Sequence, residues 1–278
     1  MASQKDWIDL HNRLEELFEL VDNDEKYKET SQILAYTVGQ LESLEELDVM
    51  GVVLELIEAD KTVEMHPEVA DLVVTILNRG IEENMPEAMC DLGSLYYNGR
   101  LGKVDYEKAF NLYKKASELG NKQATENLAY CYYYGRSVDV DYEKAYKLFA
   151  KGALEGNLRC MYKMADFYRY GYYVEMDCEE AYRIYMRCME EMTEDAVIEV
   201  GADIFVRIAD CCYEGIGTPV DIQSAFIFYS RAEILCYQRL FSGDYFMKEN
   251  LLRVQERMNL IREKTNADIF SRFEWLEK

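Results

Sequence analysis

From residue 88 onward the apolar positions recur with a period of thirty-six residues, and within each period they fall at helical spacing. VDYEKAFNLY at 104–113 returns as VDYEKAYKLF at 140–149. Three units follow one another at 88–123, 124–159 and 160–195, and a fourth restarts at Ile204 after an eight-residue insertion. Self-similarity at this length marks a stack of supersecondary units, each too thin to bury its own apolar flank.

Each recurring position has a physical task. Gly99, Gly135, Gly171 and Gly215 follow an apolar run and precede a turn, where a left-handed residue closes a helix. Asp105, Asp141, Asp177 and Asp221 come six residues later, placed to accept the free N–H groups of a new helix. After the cap, Ala109, Leu112, Tyr113 and Ala116 form a stripe, repeated by Ala145, Leu148, Phe149 and Gly152 and by Ala181, Ile184, Tyr185 and Cys188. Gly120 and Gly156 end the second helix in the first two units. Gly93, Ala129, Ala165 and Ala209 share one position of the first helix, and Ala109, Ala145, Ala181 and Ala225 one of the second. Small residues there let helix axes approach to about 8–10 Å. The pattern predicts an all-α chain of stacked helical hairpins.

The flanks are helical by pattern as well. Ser3 with Asp6 is placed as a capping box before a stripe of Trp7, Leu10, Leu14, Leu17 and Val21. A second helix is expected from about 25 to 41, with Tyr27, Leu34, Val38 and Leu41 inward. Ser43 with Glu46 can cap a third, running through Leu47, Met50, Leu54 and Ile57. Residues 69–84 align with the second helix of a repeat. A charged helix is expected over 244–264 and a short aromatic one over 268–277, packing Phe270, Phe273 and Trp275 on the last hairpin. The organisation expected is therefore an acidic helical cap (1–41), a degenerate repeat (42–87), repeats at 88–123, 124–159, 160–203 with the insertion, and 204–239, and a C-terminal helical cap (240–278).

The repeated residues resemble the Sel-one-like repeat family, relatives of the tetratricopeptide repeat. The first unit matches through Ala88, Leu92, Gly93, Tyr96, Gly99, Asp105, Lys108, Ala109, Tyr113, Lys115, Ala116 and Gly120. The second matches through Ala124, Leu128, Gly135, Asp141, Lys144, Ala145 and Gly156. Units three and four depart: Glu180 and Ser224 replace the lysine, and Met192 and Cys236 the closing glycine. The resemblance implies a right-handed α/α superhelix whose concave side is lined by the first helix of each hairpin. It then assigns partner binding on that face to Tyr97, Tyr130, Tyr133, Tyr134, Lys163, Asp166, Arg169, Tyr170, Arg207, Asp210 and Tyr213. Tyrosine and arginine are types enriched where proteins meet.

Charge narrows the partners. The 278 residues carry a net charge of −22. Residues 1–87 hold 22 acidic and 6 basic side chains, a balance of −16, against 31 and 25, a balance of −6, in the rest. Phosphate backbones need clustered Lys and Arg, so nucleic acid and anionic membranes are not expected as partners; the acidic third reads either as a solubilising surface or as a docking face for a basic protein or peptide. No stretch reaches the roughly 20 apolar residues of a membrane span, and MASQKDWIDL does not read as a secretory signal. A cytoplasmic chain is expected. Catalytic patterns are sparse. Cys90, Cys131, Cys160, Cys178, Cys188, Cys211, Cys212 and Cys236 form no CxxC pair, and read as reduced core fillers. The two histidines, His11 and His66, lie outside the repeats, so neither a zinc set nor an activated thiol is expected. The reading is a non-catalytic scaffold without cofactor or metal. A second reading is an immunity or inhibitor protein occluding a basic toxin or enzyme, and a third, less favoured, is a hydrolase.

Overall fold

In the computed structural model the described residues are 4–42, 49–60, 64–242 and 247–273, with side chains described over 12–40, 50–60, 64–242 and 247–264. Among them every regular element is helical. The chain divides into two compact units, Met1–Asp139 and Val140–Lys278.

The first unit contains α1 (Gln4–Val21), α2 (Lys28–Glu42), α3 (Val49–Glu58), α4 (Pro67–Glu82), α5 (Pro86–Asn98), α6 (Tyr106–Glu118) and α7 (Lys122–Tyr134). Each packs on the next in chain order. Leu14, Leu17 and Val21 of α1 join Leu34, Val53, Leu56, Val73, Leu77 and Leu92 in one buried cluster. The α2 helix begins with a 3₁₀ turn at Glu25–Tyr27, capped by the Asp24 carboxylate. Asp60, at the end of α3, accepts hydrogen bonds from the Thr30 N–H and hydroxyl at 3.0 and 2.8 Å, which ties α3 to the start of α2. Pro67 opens α4, where its missing N–H is no loss.

The second unit contains α8 (Tyr142–Leu154), α9 (Leu158–Tyr170), α10 (Cys178–Glu191), α11 (Glu194–Glu214), α12 (Ile222–Phe241) and α13 (Met247–Phe273), again packed in sequence. The four expected caps are in place: Asp105, Asp141, Asp177 and Asp221 accept from the N–H three residues on at 2.9–3.0 Å. The four register glycines close their helices at φ of 67–73°. Three further caps recur at the same thirty-six-residue period. Asn121, Asn157 and Thr193 accept from the N–H groups of Ala124, Cys160 and Ala196.

Several expectations need correction. The eight-residue insertion, left unassigned by the repeat pattern, is helical. It lengthens α11 to 21 residues, and α12 answers with 20, where α5 to α9 have 13 each. Because the pair is antiparallel, extra turns at the start of α11 lie beside extra turns at the end of α12. Gly201 makes room there for Leu235, whose Cδ1 would be 2.9 Å from a Cβ at that position. Cys236, in the slot of the closing glycine, is accordingly fully buried mid-helix. The inward face of α3 is Val53 and Leu56, while Leu54 is exposed and Met50 and Ile57 are half-buried. VMGVVLELIE is apolar nearly all round, so its periodicity does not fix which side faces the core. Residues 247–273 form one continuous helix, with no break between a charged and an aromatic segment. Ser3, the Ser43–Glu46 box, Leu47, Trp275 and the side chains of Trp7, Leu10, Leu41, Phe270 and Phe273 lie outside the described residues.

Left-handed positions differ in consequence. Gly217, at φ 68°, would place a Cβ 1.9 Å from the Cys178 carbonyl oxygen. Gly102, at φ 87°, would meet nothing within 4 Å. Gly102→Ala is therefore expected to cost about 1 kcal/mol from the backbone conformation alone. Gly217→Ala must also displace backbone and is expected to cost at least about twice as much. Urea denaturation of both variants checks this; equal losses would contradict the close approach.

Candidate interaction surface

The first helix of each hairpin turns one side toward its own second helix and another toward the neighbouring hairpins. At the position shared by Ser94, Asp166 and Asp210, the first helix meets a ring from the second. The Tyr113 hydroxyl donates to Ser94 Oγ at 3.2 Å, Tyr185 to Asp166 Oδ1 at 2.6 Å and Tyr229 to Asp210 Oδ1 at 2.6 Å.

In the second unit this contact grows into a buried charge network. Arg207 of α11 clamps Asp166 of α9 with two hydrogen bonds, from Nε at 2.7 Å and from Nη2 at 2.8 Å. Lys163 Nζ stands 3.3 Å from the same carboxylate. One hairpin further, Asp210 of α11 is paired with Arg253 of α13 and with Arg169 of α9, whose Nη1 is 3.7 Å away. Arg169 and Arg257 meet at Glu214, at 3.8 and 2.7 Å. The logic repeats: each aspartate takes a tyrosine from its own second helix and an arginine from the next helix to stack. Since Arg253 fills that role for Asp210, α13 occupies the place of a further first helix.

Electrostatics follow the burial. Burial pushes the Asp166 carboxyl up, but the charge and hydrogen bonds of Arg207, with Lys163 and Tyr185, outweigh it and hold the group at about 2. Burial lowers Lys163, aided by the nearby Arg207 cation. Burial and the adjacent Asp166 carboxylate raise Tyr185. Burial likewise pushes the thiols of Cys90, Cys131, Cys188 and Cys211 up to about 12, so they are protonated and unreactive at neutral pH. His66 sits at the start of α4 with its ring edge-on to Tyr27 at 5.4 Å. The His11 side chain lies outside the described residues.

The sequence-selected residues thus fall into two environments. Lys163, Asp166, Arg169 and Asp210 are buried and ion-paired, and Arg207 and Tyr213 are half-buried at the edge of the same network. Arg207 lies over the Tyr162 ring at 4.4 Å and Arg257 over Tyr213 at 5.3 Å. Tyr170 is 49% exposed, with the Arg169 guanidinium 5.3 Å from its ring. In the first unit, Tyr130 and Tyr134 are stacked at 6.0 Å, and Tyr133 meets Tyr134 edge-on at 4.9 Å. Tyr134 is 50% exposed, and Tyr97 is half-buried against Tyr106 at 5.1 Å. Tyr185, Tyr229, Arg253 and Arg257 were not selected from sequence. A forty-four-residue offset links Tyr185 to Tyr229 as it links Asp166 to Asp210, and is the signal that finds two of them.

Hairpins of similar size, closed by a left-handed glycine, reopened by an aspartate cap and stacked in chain order, define a helical-repeat protein. The repeats are Sel1 repeats: the family model matches residues 86–121, 122–157, 158–185 and 206–233, the first three starting two residues before the units drawn from the sequence and the fourth two residues after. The curated proteins contain no match to the chain. Among solved structures, the chain is similar to a Sel1 repeat protein from Oxalobacter formigenes, with a TM-score of 0.56 at 17% identity over 90% of this chain and 96% of that one. It is also similar to a protective antigen present in uropathogenic Escherichia coli strains displaying an SLR fold, with a TM-score of 0.53 at 18% identity over 96% of this chain and 55% of that one. The fold is the all-α solenoid of that class. Sel1 repeat arrays generally serve as protein-interaction scaffolds. Among the described residues no helix is long and apolar enough to cross a membrane.

The buried network ties part of the acid stability to the Asp166 carboxylate. Its folded value of about 2 lies below its ordinary value of 3.8. Its contribution is therefore fully present above pH about 4 and fades as pH falls toward 2. Asp166→Asn is expected to destabilise the protein by about 3 kcal/mol at pH 7, because the buried Lys163 and the half-buried Arg207 lose their counter-charge. The gap to the wild type should narrow below pH about 4. A pH series of denaturation curves tests both, and a gap independent of pH would contradict the ion-pair assignment.

Proposed function

We propose that the protein is a non-catalytic scaffold that grips a partner protein or extended peptide on the faces of its first helices, the concave side of the superhelix that its repeat family implies. The observation that carries the reading is the Tyr130–Tyr133–Tyr134 cluster on α7, where rings are held against one another while Tyr134 keeps half its surface open. Ring-to-ring packing fixes rotamers before a partner arrives, which lowers the entropy lost on binding. In the second unit, Tyr170, Arg207 and Tyr213 reach the edge of a network whose buried members hold them in place. That network serves the face as a rigid base, and the partner meets its rim. A net charge of −22 favours a basic partner by long-range attraction. A cytoplasmic location fits this reading.

Two tyrosines anchoring an interface are each worth about 1–2 kcal/mol. A partner recovered with the full chain is therefore expected to bind the Tyr130→Ala/Tyr134→Ala variant at least about 10-fold more weakly by calorimetric titration. Unchanged affinity, with folding intact by circular dichroism, would count against this face.

A further inference from the structure

A further aromatic patch adjoins the first-helix face, where Tyr172 stacks on Tyr170 at 5.5 Å. Position by position, the start of a second helix meets the loop after the next first helix. In the first unit Arg136 lies over the Tyr106 ring at 4.8 Å, and Phe110 meets Tyr132 edge-on at 5.5 Å. Thirty-six residues later the same four positions hold Tyr142, Tyr172, Tyr146 and Tyr168. Tyr142 and Tyr172 are stacked at 4.5 Å with 2° between their planes. The Tyr146 and Tyr168 hydroxyls are hydrogen-bonded at 3.1 Å. Tyr173 adds a fifth ring, 5.7 Å from Tyr146 and 52% exposed.

Tyr173 is held at φ 61°, in the left-handed region. The corresponding residues are Ser137, at φ 67°, and Gly217, at φ 68°. A bulky residue at such a position is an outlier, and outliers of this kind concentrate where a protein does something. The position needs no aromatic ring for the turn, since serine and glycine make the same turn elsewhere in the chain.

We propose that the patch of Tyr142, Tyr146, Tyr168, Tyr172 and Tyr173 is a second docking surface, and that its occupant is an arginine-bearing peptide segment. Guanidinium planes lie flat on tyrosine faces, where charge and stacking both contribute. The chain uses that contact on itself, with Arg136 over Tyr106 at this same junction and Arg207 over Tyr162. The surrounding charge has the complementary sign. The loop carrying Tyr172 and Tyr173 continues into Glu175, Asp177 and Glu179, all exposed. The cations beside the patch on α8, Lys144 and Lys147, are tied to Asp141 at 2.9 Å and to Glu143 at 2.6 Å. Across residues 168–180 one arginine faces four carboxylates, a balance of −3.

The test titrates the full chain with a fluorescent peptide of alternating arginine and glycine, its lysine counterpart, and its citrulline counterpart, which keeps the planar group but loses the charge. The arginine peptide is expected to bind tighter than both. Tyr173→Gly, which installs the residue found at the equivalent turn, should leave the melting temperature unchanged or higher. It should also weaken arginine-peptide binding about 2- to 5-fold, the worth of one exposed cation–π contact. Tyr173→Ser is the parallel variant, after Ser137. Equal binding of the arginine and lysine peptides would reduce the effect to bulk charge and overturn the proposal. So would an affinity untouched by both substitutions. If Tyr130→Ala/Tyr134→Ala abolishes arginine-peptide binding while Tyr173→Gly does not, the peptide sits on the first-helix face; this proposal then falls and the scaffold reading stands.

Discussion

A pair of antiparallel helices has two apolar flanks and cannot cover either alone. Everything in this chain answers that constraint. The 36-residue period sets hairpins side by side, and residues without bulk where axes cross let them close. Gly93 would place a Cβ 2.8 Å from the Tyr113 ring, and Gly152 would place one 2.4 Å from Cys160 Sγ. Glycine therefore stands where a neighbour approaches too closely for a Cβ. Gly80 belongs to the same register as Ala116, Gly152 and Cys188, and it receives Ala88 as Gly152 receives Cys160. The packing rule of the repeats thus reaches back to α4.

On this apolar frame the second unit lays a polar one. Each aspartate of the first helices is satisfied by a hydroxyl from within its hairpin and a guanidinium from outside it. Hydrophobic contact alone tolerates sliding, whereas a two-pronged arginine bond does not. The network thus fixes register where lengthened α11 and α12 interrupt the strict period. It also holds half-exposed tyrosines and arginines at defined positions along its rim, which suits a surface for recognition.

Much of this was legible in the sequence because it depends on local chemistry. An aspartate ahead of a helix caps it, and a glycine after a helix turns left-handed, whatever else is nearby. The helix-spanning insertion was less legible. Its residues read as surplus to the period, and only Cys236 in place of a closing glycine hints that α12 runs on. The facing of α3 was hidden by apolar residues on every side. Among the candidate binding residues, place on the first helix together with polar type selected Lys163, Asp166, Arg169 and Asp210. Their burial depends on Tyr185 and Tyr229, nineteen residues away on other helices, and on Arg207 and Arg253, more than forty away. Charge in a sequence suggests water; only tertiary contact shows that it is enclosed.

The stand-in role of α13 bears on how such chains change in length. Arg253 reaches Asp210 as Arg207 reaches Asp166, and Leu251, Val254 and Met258 bury the same kind of stripe as Phe205, Ile208 and Cys212. The face that α13 covers is therefore a generic hairpin end, not a particular one. A whole hairpin bearing the arginine and the aspartate could be spliced in before it and find a matching face on both sides. In evolution the array can grow or shrink by complete modules while keeping its last helix unaltered.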